Sequence, residues 1–473
     1  MLQQNPNDGG QGDMFRSRLD QILDMKHELV RLAAVVDWAG LERDLSEYYC
    51  PDIGRPGGSI RLMAGLIFLK DAKGLSDEEV CSVWRENPYF QYFCGEAFFQ
   101  HDFPVEPPSL SIFRKRIGEA GSERLLQETI RMGLKAGTVA PRDLQHVNVD
   151  TTVQEKAIRF PTDVQLCHKA REDLVKRAKA CGVKLRQSYV RKSKYAVFMA
   201  NKYMAARQMR RGRKMIAVVR NYLGRVVRDI ERAIVITPSL EGAFKEDLAK
   251  ANKIYAQAAD PKTPDKIYSW HAPEVECIAK GKAHKKYEFG CKASLAATNA
   301  GNFIVSAMAH HGRPYDGHTL TTVLAQIERL CGIMPKEACV DLGYRGHGIK
   351  PEDTEVILAR QKRGITPVKR KRQKRRNAIE PIIGHCKNDR KVGPRNWLHG
   401  KLGDQINAID MAIGFNLRKI LRWILLLFCL SLITKSKTPC ARLEMPRSSQ
   451  KPRHKFLTLI VAPQNRAPRV MIA

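Results

Sequence analysis

The sequence predicts an α/β protein with a mixed-sheet core, a mainly helical N-terminal domain and a basic helical insertion. Three observations predict this fold class. Apolar residues recur at helical spacing through the first 135 residues. Strand-like alternation begins at Leu144 and returns in short runs after residue 285. Between these strands, residues 164–235 are rich in Lys, Arg, Ala and Leu and poor in Pro and Gly, which favours helix.

Composition and charge limit the classes of protein that fit. The 473 residues are enough for two or three domains, and 43% hydrophobic residues exclude wholesale disorder. The chain has 81 Lys and Arg against 49 Asp and Glu, a formal net charge of +32. Residues 161–230, 360–376 and 434–473 contain all of this excess, and the rest of the chain is close to neutral. A localised positive charge of this size predicts a polyanionic partner.

The cysteines and the apolar segments predict a cytoplasmic protein without a membrane anchor. Twelve cysteines are scattered, which excludes CxxC zinc modules and compact disulfide scaffolds. Residues 1–12 are polar and lack the pattern of a signal peptide. The longest apolar run, at 423–434, is shorter than the about 20 residues that a membrane span needs. We expect this run to be a buried helix end.

The N-terminal domain, residues 1–135, is predicted to begin with an amphipathic helix over 15–34. A second helix begins at Ile60 and ends near Gly74, and Ser76–Glu79 is the capping box of a third. The second and third helices together are compatible with a DNA-binding helix-turn-helix or with a packing or dimerisation element. A further helix begins at Pro107.

This further helix is predicted to present three consecutive basic residues to solvent. Leu110, Phe113 and Ile117 would face inward, which leaves Arg114, Lys115 and Arg116 outward. Exposed basic residues on a helix are suited to phosphate contacts. Arg114 and Arg116 are therefore candidate DNA-binding residues.

The core, residues 140–430, is predicted to contain strands that end on acidic residues. The first strand ends at Asp150, and after a helical insertion over about 161–265 the strands return. Asp316 is expected to cap a helix, and Asp341 ends another short strand. The other expected elements are strands at 286–297, 303–309 and 355–359, a helix from Asn377 that carries Glu380, and a helix over 406–424. Residues 431–473 are predicted to be a disordered basic tail.

This order of elements is that of an RNase H-like core, with three antiparallel strands followed by parallel ones. It would place Asp150 and Asp341 on adjacent central strands and Glu380 on a helix facing them. Three converging carboxylates can hold two Mg²⁺ ions, or Mn²⁺ in their place, for phosphoryl transfer. Taken singly, each Asp could instead be a turn or helix cap, and Glu380 a first-turn acid. Asp316 and Asp389 are possible substitutes.

Three motifs carry a resemblance to a known family. Arg376-x3-Glu380-x6-Lys387, VDLGYRG at 340–346 and VDTT at 149–152 resemble the DDE transposases of bacterial insertion sequences. Residues 50–117 are similar to the helical N-terminal domain of one group of these enzymes. The resemblance implies that the three acids bind the metal ions and that Arg376 and Lys387 contact DNA near the cleaved end. Gln373 stands where the family often has Tyr.

Other basic residues of the core are candidates for phosphate contacts. Arg372 and Arg375 lie in the basic run 360–376, where each phosphate contact would release counterions. Arg345 follows Asp341 closely, and either a phosphate contact or a packing role fits it. The histidines of the core are interpreted as packing, capping or DNA-facing residues, because no paired-cysteine motif accompanies them.

The resemblance implies a DNA transposase that acts in the bacterial cytoplasm, associated with the nucleoid. It would bind the terminal inverted repeats of its element as a homodimer or larger assembly. It would hydrolyse a phosphodiester and join the freed 3′-hydroxyl to target double-stranded DNA. Two alternatives stay open: an RNase H-like nuclease without strand transfer, and an inactive DNA-binding remnant whose tail is a shifted reading frame.

Overall fold

The structure is a computed structural model that describes residues 17–50, 57–260, 262–279, 286–389 and 394–435. The chain divides after Leu427 into two units. Most of the predicted disordered tail lies outside the described residues. Residues 431–435, its first five, are the end of the last helix.

Helices make up the N-terminal part, and two of them have the predicted end signals. Gly74 ends its helix in the left-handed conformation at φ 69°, which glycine adopts without strain. Ser76 and Glu79 form both bonds of the capping box. The helices are α1 (Leu19–Ile22), α2 (Glu28–Val35), α3 (Trp38–Ser46), α4 (Ile60–Lys73), α5 (Asp77–Glu86), α6 (Pro88–Phe93) and α7 (Pro108–Lys135).

The prediction of one helix over 15–34 is wrong for the described residues. The chain leaves the helical conformation at Leu23, and α2 starts anew at Glu28. The side chain of His27 caps the new helix by accepting a hydrogen bond from the backbone N–H of Leu29. His27 also stacks on Tyr89 of α6, with ring centroids 3.8 Å apart. A tertiary contact thus accompanies the interruption of a locally helical pattern.

The basic segment after the first strand forms a helical insertion with its own hydrophobic core. The core includes Val164, Leu174, Leu223 and Phe244 and is separate from the main one. The helices of the insertion are α8 (Asp163–Ala180), α9 (Val190–Ala205), α10 (Met209–Ile236) and α11 (Glu241–Gln257).

A six-stranded mixed sheet forms the centre of the protein within the described residues. Its strands are β1 (His146–Glu155), β2 (Glu276–Ala279), β3 (Tyr287–Thr298), β4 (Ile304–His310), β5 (Glu337–Val340) and β6 (Glu355–Leu358). β1 pairs antiparallel with β3, and β3 pairs antiparallel with β2 and β4. On its other edge β1 pairs parallel with β5, which pairs parallel with β6. The predicted change from antiparallel to parallel pairing is present, whereas β2 was not predicted.

The N-terminal helices and the sheet share one hydrophobic core. The remaining helices are α12 (Asp316–Cys331), α13 (Pro367–Arg375), α14 (Ile379–Asn388) and α15 (Gly400–Lys435). The buried amide of Asn416 on α15 joins two parts of this core. It exchanges hydrogen bonds of 2.9 Å with the backbone of Ile304 on β4 and donates to Thr129 on α7 at 3.1 Å.

The apolar run at 423–434 is helical, but the prediction that it is buried is wrong. Leu425, Leu426 and Leu427 are 51%, 48% and 45% exposed. Leu417 and Ile420, earlier in α15, are fully buried. A continuous apolar run covers every face of a helix, and only one of those faces meets the core. Among the described residues, no helix is both long and apolar enough to span a membrane.

Candidate active site

Asp150 and Asp341 come from neighbouring parallel strands. Their register pairs residues 146–148 of β1 with residues 337–339 of β5. Continued by two residues, this register places Asp150 level with Asp341, which directly follows β5. The prediction that the first strand ends at Asp150 is wrong, because β3 continues to pair with β1 as far as Glu155.

The third acid, Glu380, lies in the first turn of α14. A short 3-10 turn, Arg376–Ala378, precedes this helix. The side chain of Asn148 on β1 donates to the backbone carbonyl of Arg375 at 3.3 Å. Lys387, near the other end of α14, donates to the carbonyl of Val153 at 2.6 Å. These bonds hold the end of α13 and the end of α14 against β1, with Glu380 between them.

All three acids surround the guanidinium of Arg376. Its nitrogens lie 3.9 Å from Asp150 Oδ2, 3.7 Å from Asp341 Oδ1 and 3.5 Å from Glu380 Oε1. Arg376 is buried, and its Nη1 lacks a hydrogen-bond partner. The structure therefore brings the three sequence-predicted acids together around one buried cation.

The environment of Asp150 disfavours its charged form. Burial raises the pKa of Asp150 to about 6. Arg376 and the backbone N–H of Thr151, which donates to Asp150 Oδ1 at 2.8 Å, oppose this rise. The neighbouring carboxylates of Asp341 and Glu380 add to it. The site thus concentrates negative charge that a cation would stabilise.

The donor set fits a hard divalent cation, since it consists of carboxylate oxygens. In the present arrangement, however, the described residues contain no group of three or more His, Cys, Asp or Glu that could hold a metal ion. The guanidinium of Arg376 takes the central place. Metal binding by these acids would therefore require Arg376 to move away from them.

Asp316 does not cap its helix, so that prediction is wrong. The capping position of α12 is Tyr315, which makes no side-chain cap. The carboxylate of Asp316 instead accepts hydrogen bonds from Thr151 at 3.0 Å and from Lys292 at 2.9 Å. Thr151 and Lys292, on β1 and β3, are site neighbours that the sequence analysis missed. The other suggested substitute, Asp389, pairs with His385 at 3.2 Å.

Arg114 does not face outward, and that prediction is wrong. Its side chain is 3% exposed and forms two hydrogen bonds, of 2.8 and 2.6 Å, with Asp77 at the start of α5. The kink of α7 at Gly118 and this ion pair fix the helix start against α4 and α5. Arg116 is exposed and lies over the ring of Tyr49 at 4.5 Å.

Several other predicted DNA-binding residues contact protein groups. Arg372 pairs with both carboxylate oxygens of Glu337 at 2.7 Å. Arg375 donates to the carbonyls of Asn299 and Ala300 at 2.9 and 2.7 Å. Arg345, four residues after Asp341 in the sequence, is exposed. These side chains anchor α13 to the sheet, except Arg345, which faces solvent.

The outward cations of α13 were not singled out by the sequence analysis. Arg370, Lys371 and Lys374 are exposed. A local signal was present, because Thr366 caps the helix and Pro367 occupies its first position. Helical spacing counted from Pro367 places Arg370, Lys371 and Lys374 on the face of α13 that is turned away from the protein.

Comparison with known proteins gives the family. Residues 17–116 match the family model of a transposase domain (DUF772). The chain is also 49% identical over 199 residues to an uncharacterized protein, ORF8 in the nfe locus, of Rhizobium meliloti; the match covers 42% of this chain and 96% of the relative. The chain belongs to the transposase family. No solved structure matches this transposase.

The matched domain contains the N-terminal helices of the transposase, which share one hydrophobic core with the sheet. It covers α1 to α6 and the start of α7, with the buried pair of Asp77 and Arg114. Arg114 also lies 3.9 Å from Asp410 on α15. The transposase domain is therefore joined by buried charge to the part of the chain that contains the sheet.

Proposed function

We propose that this transposase binds the terminal inverted repeats of an insertion sequence and uses Asp150, Asp341 and Glu380 to cleave DNA and join it to a target. The observation that carries the proposal is the convergence of these acids, from three separate elements, on Arg376. The sheet pairing supports an RNase H-like core as the scaffold.

Divalent metal ions are part of the proposal. Asp150, Asp341 and Glu380 would hold them through carboxylate oxygens, and Arg376 would leave its place between the acids. When bound, Mg²⁺ or Mn²⁺ would lower the barrier by activating the attacking oxygen and stabilising the leaving oxygen. Exposed cations near the acids, Arg345 among them, would bind the DNA phosphates.

The proposed chemistry has two steps, hydrolysis and strand transfer. In the first, the oxygen of water bonds to phosphorus while the P–O3′ bond breaks, which leaves a 3′-hydroxyl and a 5′-phosphate. In the second, this 3′-oxygen bonds to a target phosphorus, a target P–O3′ bond breaks, and the hydroxyl proton passes to the departing oxygen. No covalent intermediate with the protein is needed.

The test is cleavage of a labelled duplex that contains the terminal repeat and its flank, with Mg²⁺ or Mn²⁺ and a supercoiled target. We expect a metal-dependent nick at the repeat boundary and a joined product. Asp341→Asn should abolish both while repeat binding persists. Asp353→Asn is the matched control, because Asp353 is an exposed acid beyond β5. It should cleave like the wild type.

Other outcomes separate the alternatives. Cleavage without joining would favour a nuclease that stops after hydrolysis. Repeat binding without cleavage by the wild type would contradict the proposal and favour an inactive DNA-binding remnant. The mass of the complex on paired ends would test the proposed homodimer.

A further inference from the structure

Asp316, at the start of α12, contacts both segments that carry the aspartates of the candidate site. Its carboxylate meets Thr151, the residue after Asp150, and the turn that follows Asp341. We propose that Asp316 is a positioning residue, which sets the separation of Asp150 and Asp341. The inference rests on the proposed function, because it takes these two acids as metal ligands.

The backbone pairing between β1 and β5 ends before it reaches the two acids. In the part of the chain that the structure describes, it covers residues 146–148 of β1 and 337–339 of β5. Asp150 and Asp341 each lie two residues beyond the last of these pairs. Carboxylates that share metal ions must be held within about 0.5 Å of the productive geometry. The separation of these two acids therefore needs a further link between their segments.

One contact of Asp316 fixes β1 beside Asp150. The hydroxyl of Thr151 donates to Asp316 Oδ1 at 3.0 Å, and the backbone N–H of Thr151 donates to Asp150 Oδ1 at 2.8 Å. Successive side chains of a strand point to opposite faces of the sheet. Since Asp150 faces Arg376, Asp316 holds Thr151 from the other face. Asp316 therefore acts on Asp150 through the strand and is not one of the proposed metal ligands.

The second contact of Asp316 is with the 3-10 turn directly after Asp341. A Cβ on Gly343, within this turn, would lie 3.1 Å from Asp316 Oδ2. A Cβ on Gly317, the next residue of α12, would lie 3.3 Å from the backbone carbonyl oxygen of Tyr344. The start of α12 thus packs closely on the backbone that follows Asp341, with a glycine on each side of the contact.

Lys292 on β3 holds the carboxylate of Asp316 in this place. Its ammonium group donates to Asp316 Oδ1 at 2.9 Å and to the backbone carbonyl of Pro314. The side chains of Lys292 and Asp316 are 16% and 29% exposed, so the pair is largely shielded from water. A hydrogen bond between charged groups is stronger than one between neutral groups. Asp316 is therefore fixed by an ion pair of its own while it contacts Thr151 and Gly343.

The experiment breaks the contact at Thr151 in the full chain. Thr151→Val removes the hydroxyl and keeps the shape, whereas Thr151→Ser keeps the hydroxyl. We expect Thr151→Val to bind Mn²⁺ about ten-fold more weakly, measured by electron paramagnetic resonance of the free ion, because losing a group that orients metal ligands costs about 10–100-fold. It should also cleave the repeat duplex more slowly at saturating Mg²⁺, with unchanged repeat affinity in EDTA. Thr151→Ser should restore the Mn²⁺ affinity.

Hydrogen exchange in EDTA gives a second measurement that needs neither metal nor DNA. Thr151→Val should speed exchange of the backbone amides of residues 342–346, which belong to the other segment. Asp316→Ala should do the same. Combining the two changes should speed this exchange no more than Asp316→Ala alone, because both remove one link.

Thr322→Val is the matched control. Thr322 lies on α12, and its hydroxyl donates to the carbonyl of Thr319 at 2.8 Å within the helix. This variant should bind Mn²⁺ and exchange like the wild type.

Wild-type Mn²⁺ affinity in Thr151→Val would overturn the positioning role of Asp316. Equal losses in Thr151→Ser and Thr151→Val would overturn it too, since packing rather than the hydroxyl would then matter. A wild type that neither binds Mn²⁺ nor nicks the duplex would instead refute the proposed function. In that case the exchange of residues 342–346 still decides whether Asp316 links the two segments.

Discussion

Replacing Arg376 by Gln would leave Asp150, Asp341 and Glu380 facing one another without their shared cation. We expect Arg376→Gln to lower the free energy of unfolding when divalent ions are absent. We also expect Mg²⁺ to stabilise this variant more than the wild type, because the proposed metal site no longer has to displace a guanidinium. The loss of stability and its recovery by Mg²⁺ test whether Arg376 occupies the place of the proposed metal ions.

The size of the effect follows from the exposure of each partner. The side chains of Asp341 and Glu380 are 53% and 64% exposed, so each pair contributes no more than about 1 kcal/mol. Asp150 is 18% exposed and Arg376 is 7% exposed. Breaking a fully buried pair costs about 3–5 kcal/mol. Because the 3.9 Å contact is longer than a hydrogen bond, we expect a total loss of about 2–4 kcal/mol.

The assay is urea unfolding in EDTA and in saturating Mg²⁺. Arg370→Gln is the control, because Arg370 is exposed on the neighbouring helix α13 and its replacement removes the same charge. Combining Arg376→Gln with Asp150→Asn should recover part of the loss, since one repelling carboxylate is then gone. If the two single Gln variants unfold at the same urea concentration in EDTA, the reasoning is refuted.

Three further changes have expected outcomes. Asp77→Asn should cost about 3 kcal/mol in urea unfolding, somewhat less than a fully isolated buried charge, because Asp410 stays near Arg114. Burial lowers the pKa of the His310 imidazole to about 4, so on acidification the unfolded protein takes up a proton at this residue before the folded protein does. The free energy of unfolding should therefore fall between pH 6.5 and 4. His310→Gln should flatten that part of a thermal-melt pH profile. Gly290→Ala should cost about 1–3 kcal/mol in urea unfolding, because a Cβ there would clash with the backbone carbonyl oxygen of Gln154 on β1.

The parts of the fold that follow from local signals could be predicted from the sequence. The ends of α4 and α5 depend on Gly74 and on the capping box at Ser76, which act within one turn. The short strand β2 (Glu276–Ala279) has four residues and depends on pairing with β3. Its existence is a tertiary property, as is the helix break between residues 23 and 27. Four residues offer too few positions for a periodic pattern.

The three acids of the candidate site could be predicted from the sequence, whereas the side chains that pair with them could not. Spacing within the motifs identified Asp150, Asp341 and Glu380, because each motif is local. The place of Arg376 among them depends on how β1, β5 and α14 are aligned, which spacing does not show. Asp316 illustrates the same limit, since it begins helix α12 while the cation that pairs with it, Lys292, comes from strand β3. Side-chain partners across elements require the register of the sheet.

Helical periodicity determines which cations of the basic run face away from the protein and could meet the proposed DNA partner. Lys369 pairs with Glu355 at 2.6 Å, and Arg372 pairs with Glu337 three residues later. Arg376, four residues further, meets the three acids. Positions at this spacing share one face of a helix, so the face turned to the sheet holds its charges against protein carboxylates. Charge counted along the sequence therefore overstates the charge available to phosphate, which on this helix is provided by the exposed Arg370, Lys371 and Lys374.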